Sequence, residues 1–141
     1  MRKHNLIISS ADRDHLLRLI DSSRRDGYEP ANLDLLEREL DRSTIVEPAD
    51  VPRHVVTMNS TVWFRDLDSE EIESYTLVFP HEANMDQNRI SVLAPIGTAL
   101  LGYRQRDVVE WQVPSGRRRL EITKVDQPRV ASMPPPALTL A

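Results

Sequence analysis

The sequence contains no cysteine. That excludes disulfide bonds, thiolate nucleophiles, Cys-ligated zinc and iron–sulfur clusters. Glycine is scarce, with four in 141 residues, and the four form neither a GxGxxG fingerprint nor a Walker loop. Aromatic residues are few: two Trp, three Tyr and two Phe. Apolar runs are short, and stretches such as Ala99-Leu100-Leu101-Gly102 fall far below the ~20 residues that span a bilayer. The N-terminus, MRKHNLIISSADRD, opens with positive charge but turns acidic before any signal-peptide core could form. A cytoplasmic protein without a membrane partner is expected. Lysine is nearly absent too, since 16 of the 18 basic residues are Arg and only Lys3 and Lys124 are Lys. The net charge is −4, negative in both halves of the chain, so neither half is a cationic nucleic-acid module.

What is present is a change of period. Residues 10–25 place Leu16, Leu17, Leu19 and Ile20 at helical spacing, with Arg13, Arg18, Asp21 and Arg24 on the other side. Ser9 or Ser10 can cap this helix, Asp12 and Asp14 suit its first turn, and Gly27 supplies a left-handed terminus. Pro30 suits the opening of a second helix through ANLDLLERELDRS, whose Leu33, Leu36 and Leu40 share a face. Two helices with so short a connection predict an antiparallel hairpin over residues 1–50, each arm ~15 residues or ~22 Å. Pro48 and Pro52 end the helical pattern. Beyond them alternation predicts strands in TVWFRDLD, IESYTLVFP and RISVLAP, a short helix in PIGTALLG, and a hairpin of DVVEWQV and RRRLEITKV around Pro114-Ser115-Gly116. The fold class is α+β: a helical hairpin followed, over 51–126, by a mostly antiparallel sheet with one short helix. Residues 127–141 carry Pro134-Pro135-Pro136 and are expected to be a flexible tail.

The chemistry-bearing residues do not assemble into a catalytic motif. His4, His15, His54 and His81 are far apart, and none has a partner at HxxxH or HExxH spacing. No GxSxG elbow surrounds a serine. Glu70 and Glu71 read as a solvated turn, and Arg117, Arg118 and Arg119 as a salt-bridged edge strand. Trp63 and Trp111 read as packing residues rather than a stacking platform. Asp26 and Glu29 stand at the tip of the hairpin, where two carboxylates with water could hold Mg²⁺. A polar loop is the favoured explanation for them. No cofactor, no metal centre and no catalytic residue is expected.

The order of landmarks in the second half resembles the C-terminal domain of the Gre transcript-cleavage factors. These are Asn59-Ser60-Thr61-Val62, then Ile90-Ser91-Val92 leading to Pro95, then Ala99-Leu100-Leu101-Gly102, then Asp107-Val108-Val109, then the Pro114–Gly116 hairpin. The resemblance covers about residues 53–125. With HVVTMNST and LAPIGTALLG, the whole chain is similar to the short-armed Rnk group, the regulators of nucleoside diphosphate kinase. It implies an FKBP-like sheet domain and a short coiled coil at the N-terminus. It also implies docking of the C-terminal domain on the rim of the RNA polymerase secondary channel, against a coiled coil of the largest subunit. In the Gre factors the longer coiled coil enters the channel, and its acidic tip helps hold the catalytic Mg²⁺ for RNA cleavage.

Two departures shape the expectation. A ~22 Å arm would leave Asp26 and Glu29 short of the polymerase active site, so no cleavage is expected. The Gre loop carries an acidic-Ser-Pro sequence where this chain has Leu93, Ala94 and Pro95, so only Pro95 matches. The polymerase contact is therefore expected to be apolar, formed by Leu93, Ala94, Pro95 and Ile96 with Ser91 beside them. The resulting reading is a non-enzymatic regulator of transcription elongation that competes with Gre-type factors and meets DNA only through the polymerase. The alternatives are an FKBP-like prolyl isomerase or chaperone, whose aromatic pocket seven aromatics can hardly build, and a direct regulator of nucleoside diphosphate kinase.

Overall fold

A computed structural model describes residues 6–27, 33–113 and 116–128, with only the backbone described at 111–113. The chain opens with β1 (Ile7–Ser9) and runs directly into α1 (Ser10–Arg25). Ser9 ends the strand and caps the helix, its hydroxyl accepting the Asp12 N–H at 3.1 Å. At the far end Gly27 has φ +79° and returns its N–H to the Arg24 carbonyl at 3.1 Å, the left-handed terminus that glycine allows. The next helix, α2, spans Leu33–Asp41. It buries Leu33, Leu36 and Leu40 while α1 buries Leu16, Ile20 and Ser23, so the two stripes form one apolar interior. Arg24, in the last turn of α1, reaches Asp34 at 2.6 Å and Glu37 at 2.9 Å in the first turns of α2. These are partly exposed pairs, so they orient the helices more than they stabilise them. The expected second helix is found over nine residues, and its proposed opening at Pro30 lies outside the described residues.

Straight after α2 the chain forms β2 (Thr44–Val46), which pairs parallel with β1 from Ile7↔Thr44 to Ser9↔Val46. This small sheet closes the base of the helical unit. It is absent from the sequence reading, because three-residue strands carry no measurable alternation and β1 overlaps the helix cap.

The second half is a five-stranded sheet in the order β5-β4-β3-β7-β6. Its strands are β3 (Thr61–Asp66), β4 (Ile72–Val78), β5 (Arg89–Ser91), β6 (Val108–Val113) and β7 (Gly116–Asp126), with α3 (Pro95–Leu100) between β5 and β6. Three of the four pairings are antiparallel, but β4 and β5 are parallel from Thr76↔Arg89 to Val78↔Ser91. Residues 79–88, with two 3-10 turns, carry the chain back far enough to permit that. The sheet is thus mostly antiparallel, as expected. The position of Arg117–Arg119 is corrected: β7 lies between β3 and β6 and is not an edge. The expected ion pairs are present, with Arg117 on Glu110, Arg118 on Asp66 and Glu73, and Arg119 on Asp68.

On β3, Val62 and Phe64 face the core and are 0% and 1% exposed. Opposite them Leu120, Ile122 and Val125 are buried, a spacing of two and then three. Pairing moves from Trp63↔Lys124 to Phe64↔Ile122, so Thr123 is an extra residue that resets the face of β7. The core is continuous from Leu16, Ile20 and Leu36 in the helices to Phe64, Leu77 and Leu100 in the sheet unit. Leu6 bridges the halves, its carbonyl accepting the Thr44 N–H and its side chain lying against Gly102.

At the polar end of the sheet Asp66 accepts N–H bonds from Asp68 at 2.8 Å and Ser69 at 3.1 Å, and the Arg118 Nε at 3.2 Å. The two backbone donors first, and the guanidinium second, hold its pKa below the ordinary aspartate range. A lowered folded pKa means stability that is complete above the ordinary aspartate range and drains away as pH falls through the folded value. Asp66→Asn is expected to flatten the acid limb of a urea-midpoint-against-pH curve while leaving the slope above pH ~6 unchanged.

Candidate functional site

Three places carry features beyond packing. The first is the turn from β5 into α3. The Ser91 hydroxyl accepts the Leu93 N–H at 3.0 Å, its carbonyl accepts the Ala94 N–H at 3.0 Å, and Val92 N–H reaches back to the Val78 carbonyl at 2.9 Å. Pro95 sits in the first turn of α3, where its missing N–H costs nothing. The Thr98 hydroxyl donates to the Val92 carbonyl at 2.5 Å and locks helix to strand. The turn is thus rigid, but its surface differs from expectation. Leu93 and Ile96 are 4% and 5% exposed and belong to the core, where α3 packs on the sheet. Pro95 is exposed, and Ala94 and Ser91 are half-buried. The surface offered here is narrower and less apolar than a Leu93-to-Ile96 patch.

The second place is the free end of the helical unit. Asp26 is exposed and follows the last turn of α1. Glu29 lies outside the described residues. No three His, Asp or Glu side chains converge as a metal site among the described residues.

The third place is the joint between α1 and the sheet unit. The Asp12 carboxylate, in the first turn of α1, lies beside the backbone N–H of Met58 in the segment before β3. Burial pushes the Asp12 pKa up, opposed by His15 and by that N–H. Asn59 follows with φ +66°, its N–H on the Leu77 carbonyl at 2.6 Å. Along α1, His15 meets the Phe79 ring edge-on at 5.6 Å between centroids, and His81 stacks on Phe79 at 6.4 Å and 21°. Between α1 and residues 79–82 lies a cleft of about 570 Å³. A second cleft of about 470 Å³ shares Asp12 and Asn59 and includes Met58 and Gln127. Gln127 Nε2 donates to the Pro52 and Val55 carbonyls at 2.7 and 2.8 Å, holding the end of the described chain to the same joint.

With a folded pKa raised, Asp12 contributes most favourably at acid pH and costs stability once pH passes that value. Asp12→Asn, which keeps an acceptor for the Met58 N–H, is expected to match or exceed the parent at pH 7 by up to about 1 kcal/mol. The difference should vanish near pH 4, as read from urea midpoints.

Comparison with known proteins places this architecture. Residues 51–127 match the family described as transcription elongation factor GreA/GreB, C-term, and residues 5–46 match the Rnk N-terminus. The protein named regulator of nucleoside diphosphate kinase in Escherichia coli strain K12 is 37% identical over 133 residues, which are 93% of this chain and 96% of that protein. The chain belongs to the Rnk family. A solved Rnk-sized structure, described as a prokaryotic transcription elongation factor GreA/GreB from Nitrosomonas europaea, superposes with a TM-score of 0.78 at 41% identity. It covers 86% of this chain and 98% of that one. Transcription elongation factor GreA of Chloroherpeton thalassium is 38% identical over 95 residues, but those are 67% of this chain and only 60% of GreA. The chain therefore shares the GreA/GreB C-terminal domain with GreA and spans only part of GreA's length. No helix among its described residues is long and apolar enough to cross a membrane.

Within this Rnk-family chain the sequence reading placed the β5–α3 turn correctly and misjudged which of its side chains face outward. It missed the joint. His15 and His81 share Phe79 because α1 lies beside the segment that follows β4, and nothing local in the sequence signals that arrangement.

Proposed function

We propose that this protein is a regulator of transcription elongation that binds core RNA polymerase through its Gre-type C-terminal domain. In this reading the domain docks on the largest subunit's coiled coil at the rim of the secondary channel, with Pro95 at the contact and Ala94 and Ser91 beside it. The observation that carries the reading is the pairing of a Gre C-terminal domain over residues 51–127 with a short helical unit. At 1.5 Å per residue the 16 residues of α1 reach about 24 Å. That helical pair would act as a short coiled-coil arm, with Asp26 at its end and outside reach of the catalytic centre. The protein would occupy the Gre position without promoting RNA cleavage and would meet DNA only through the polymerase.

The test is a stalled elongation complex with labelled RNA. No cleavage above the buffer rate is expected from this protein alone, and inhibition of Gre-stimulated cleavage is expected as its concentration rises. Cleavage stimulated by this protein itself would overturn the reading.

A second reading is supported by the name of the Escherichia coli relative, regulator of nucleoside diphosphate kinase. Direct action on that kinase predicts co-purification of the kinase in the absence of polymerase. The prolyl-isomerase reading gains no support, because Phe64 is buried and the Tyr75 hydroxyl is held by Glu73 at 3.1 Å.

A further inference from the structure

The cleft between α1 and residues 79–82 is assigned no role by the polymerase reading, and most of its polar side chains carry hydrogen-bond donors. Arg18 and Ser22 come from α1, His81 and Phe79 from the sheet unit, and Asn59 from the link before β3. Arg18 is exposed and makes no ion pair among the described residues. His15 and His81 approach from opposite units, both located by their ring contacts with Phe79. Guanidinium, imidazole, hydroxyl and amide groups are all N–H or O–H donors. Two carboxylates oppose them. Asp12 stands on the first turn of α1 beside His15, at the end of the cleft next to Met58, while Glu82 is exposed at the rim. The cavity of about 570 Å³ lies within the size range of small-molecule sites.

We propose that this cleft binds a small phosphate-bearing anion, held by Arg18 with His15 and His81 and seated against Phe79. A guanidinium presents paired donors that match phosphate oxygens, and the two imidazoles reach the same space from the two units of the molecule. Bound there, the anion links the helical unit to the sheet unit and tightens their joint. The site is independent of polymerase docking, since none of its residues belongs to the β5–α3 turn.

The experiment is calorimetric titration of the full chain with inorganic phosphate and, separately, with adenosine monophosphate. Saturable binding with a Kd of about 1 mM or tighter is expected for at least one of them. Arg18→Ala should weaken binding at least tenfold without moving the unfolding midpoint of the ligand-free chain. The double variant His15→Ala with His81→Ala should weaken it severalfold. Tighter binding of the nucleotide than of phosphate identifies a ring stacked at His81 and Phe79, and equal binding identifies the phosphate alone; either supports the site. No saturable binding of either ligand, or an Arg18→Ala chain that binds like the parent, overturns it.

Discussion

Replacing Gly97 by Ala is expected to destabilise the protein by about 3 kcal/mol or more. A Cβ on Gly97 would stand 2.0 Å from the Ser91 carbonyl oxygen, 2.9 Å from the Ser91 carbonyl carbon and 3.1 Å from the Val92 Cα. All three are backbone atoms of β5 and the turn after it, so no side-chain rotation relieves the clash. The helix must move away instead. That stretches the Thr98–Val92 hydrogen bond and lifts Ile96 and Leu100 from the sheet. Alanine's better helix propensity returns only about 1 kcal/mol. The urea midpoint is the readout, and a midpoint equal to the parent's would show that α3 does not approach β5 as described. Pro95 rides on the same helix, so loss of polymerase binding is expected to accompany the loss of stability.

Leu36→Ala is expected to cost about 3 kcal/mol, within the 2–5 kcal/mol typical of a buried leucine truncated to alanine. Leu36 is 0% exposed and faces Leu16 and Ile20 in the shared interior. The nine residues of α2 are fewer than the roughly 12–15 that an isolated helix needs, so packing rather than propensity holds α2 helical. A fall in melting temperature of roughly 10 °C is the expected result, accompanied by loss of helical circular dichroism. Retention of the parent's melting temperature would mean that α2 is not packed on α1.

Elements with strong local signals were legible in the sequence. The helix from Ser10 to Arg25 announces itself through the Ser9 cap, the leucine stripe and Gly27, and its limits in the structure are those residues. Strands β3 and β4, the short helix opened by Pro95 and the pairing of β6 with β7 were legible for the same reason. What depended on distant contacts was not. The parallel β1–β2 pair, the parallel β4–β5 pair and the placement of β7 inside the sheet arise from tertiary pairing that no local period encodes.

The candidate site divides the same way. The sequence around Ser91 to Ile96 marked the turn, but apolar character did not tell inward from outward. Leu93 and Ile96 supply the core beneath the surface that Pro95 presents. The His15–Phe79–His81 arrangement joins residues from two distant stretches of the chain and leaves no motif.

The most direct test of the account is gel filtration of the purified protein with core RNA polymerase at moderate salt, with a Gre-type factor added as competitor. Co-elution with the polymerase, lost as the Gre-type factor is added and weakened by Pro95→Glu in a chain of unchanged melting temperature, is the predicted result. A protein that fails to co-elute even at low salt, or stays bound however much Gre-type factor is added, would contradict the proposal that it occupies the Gre position.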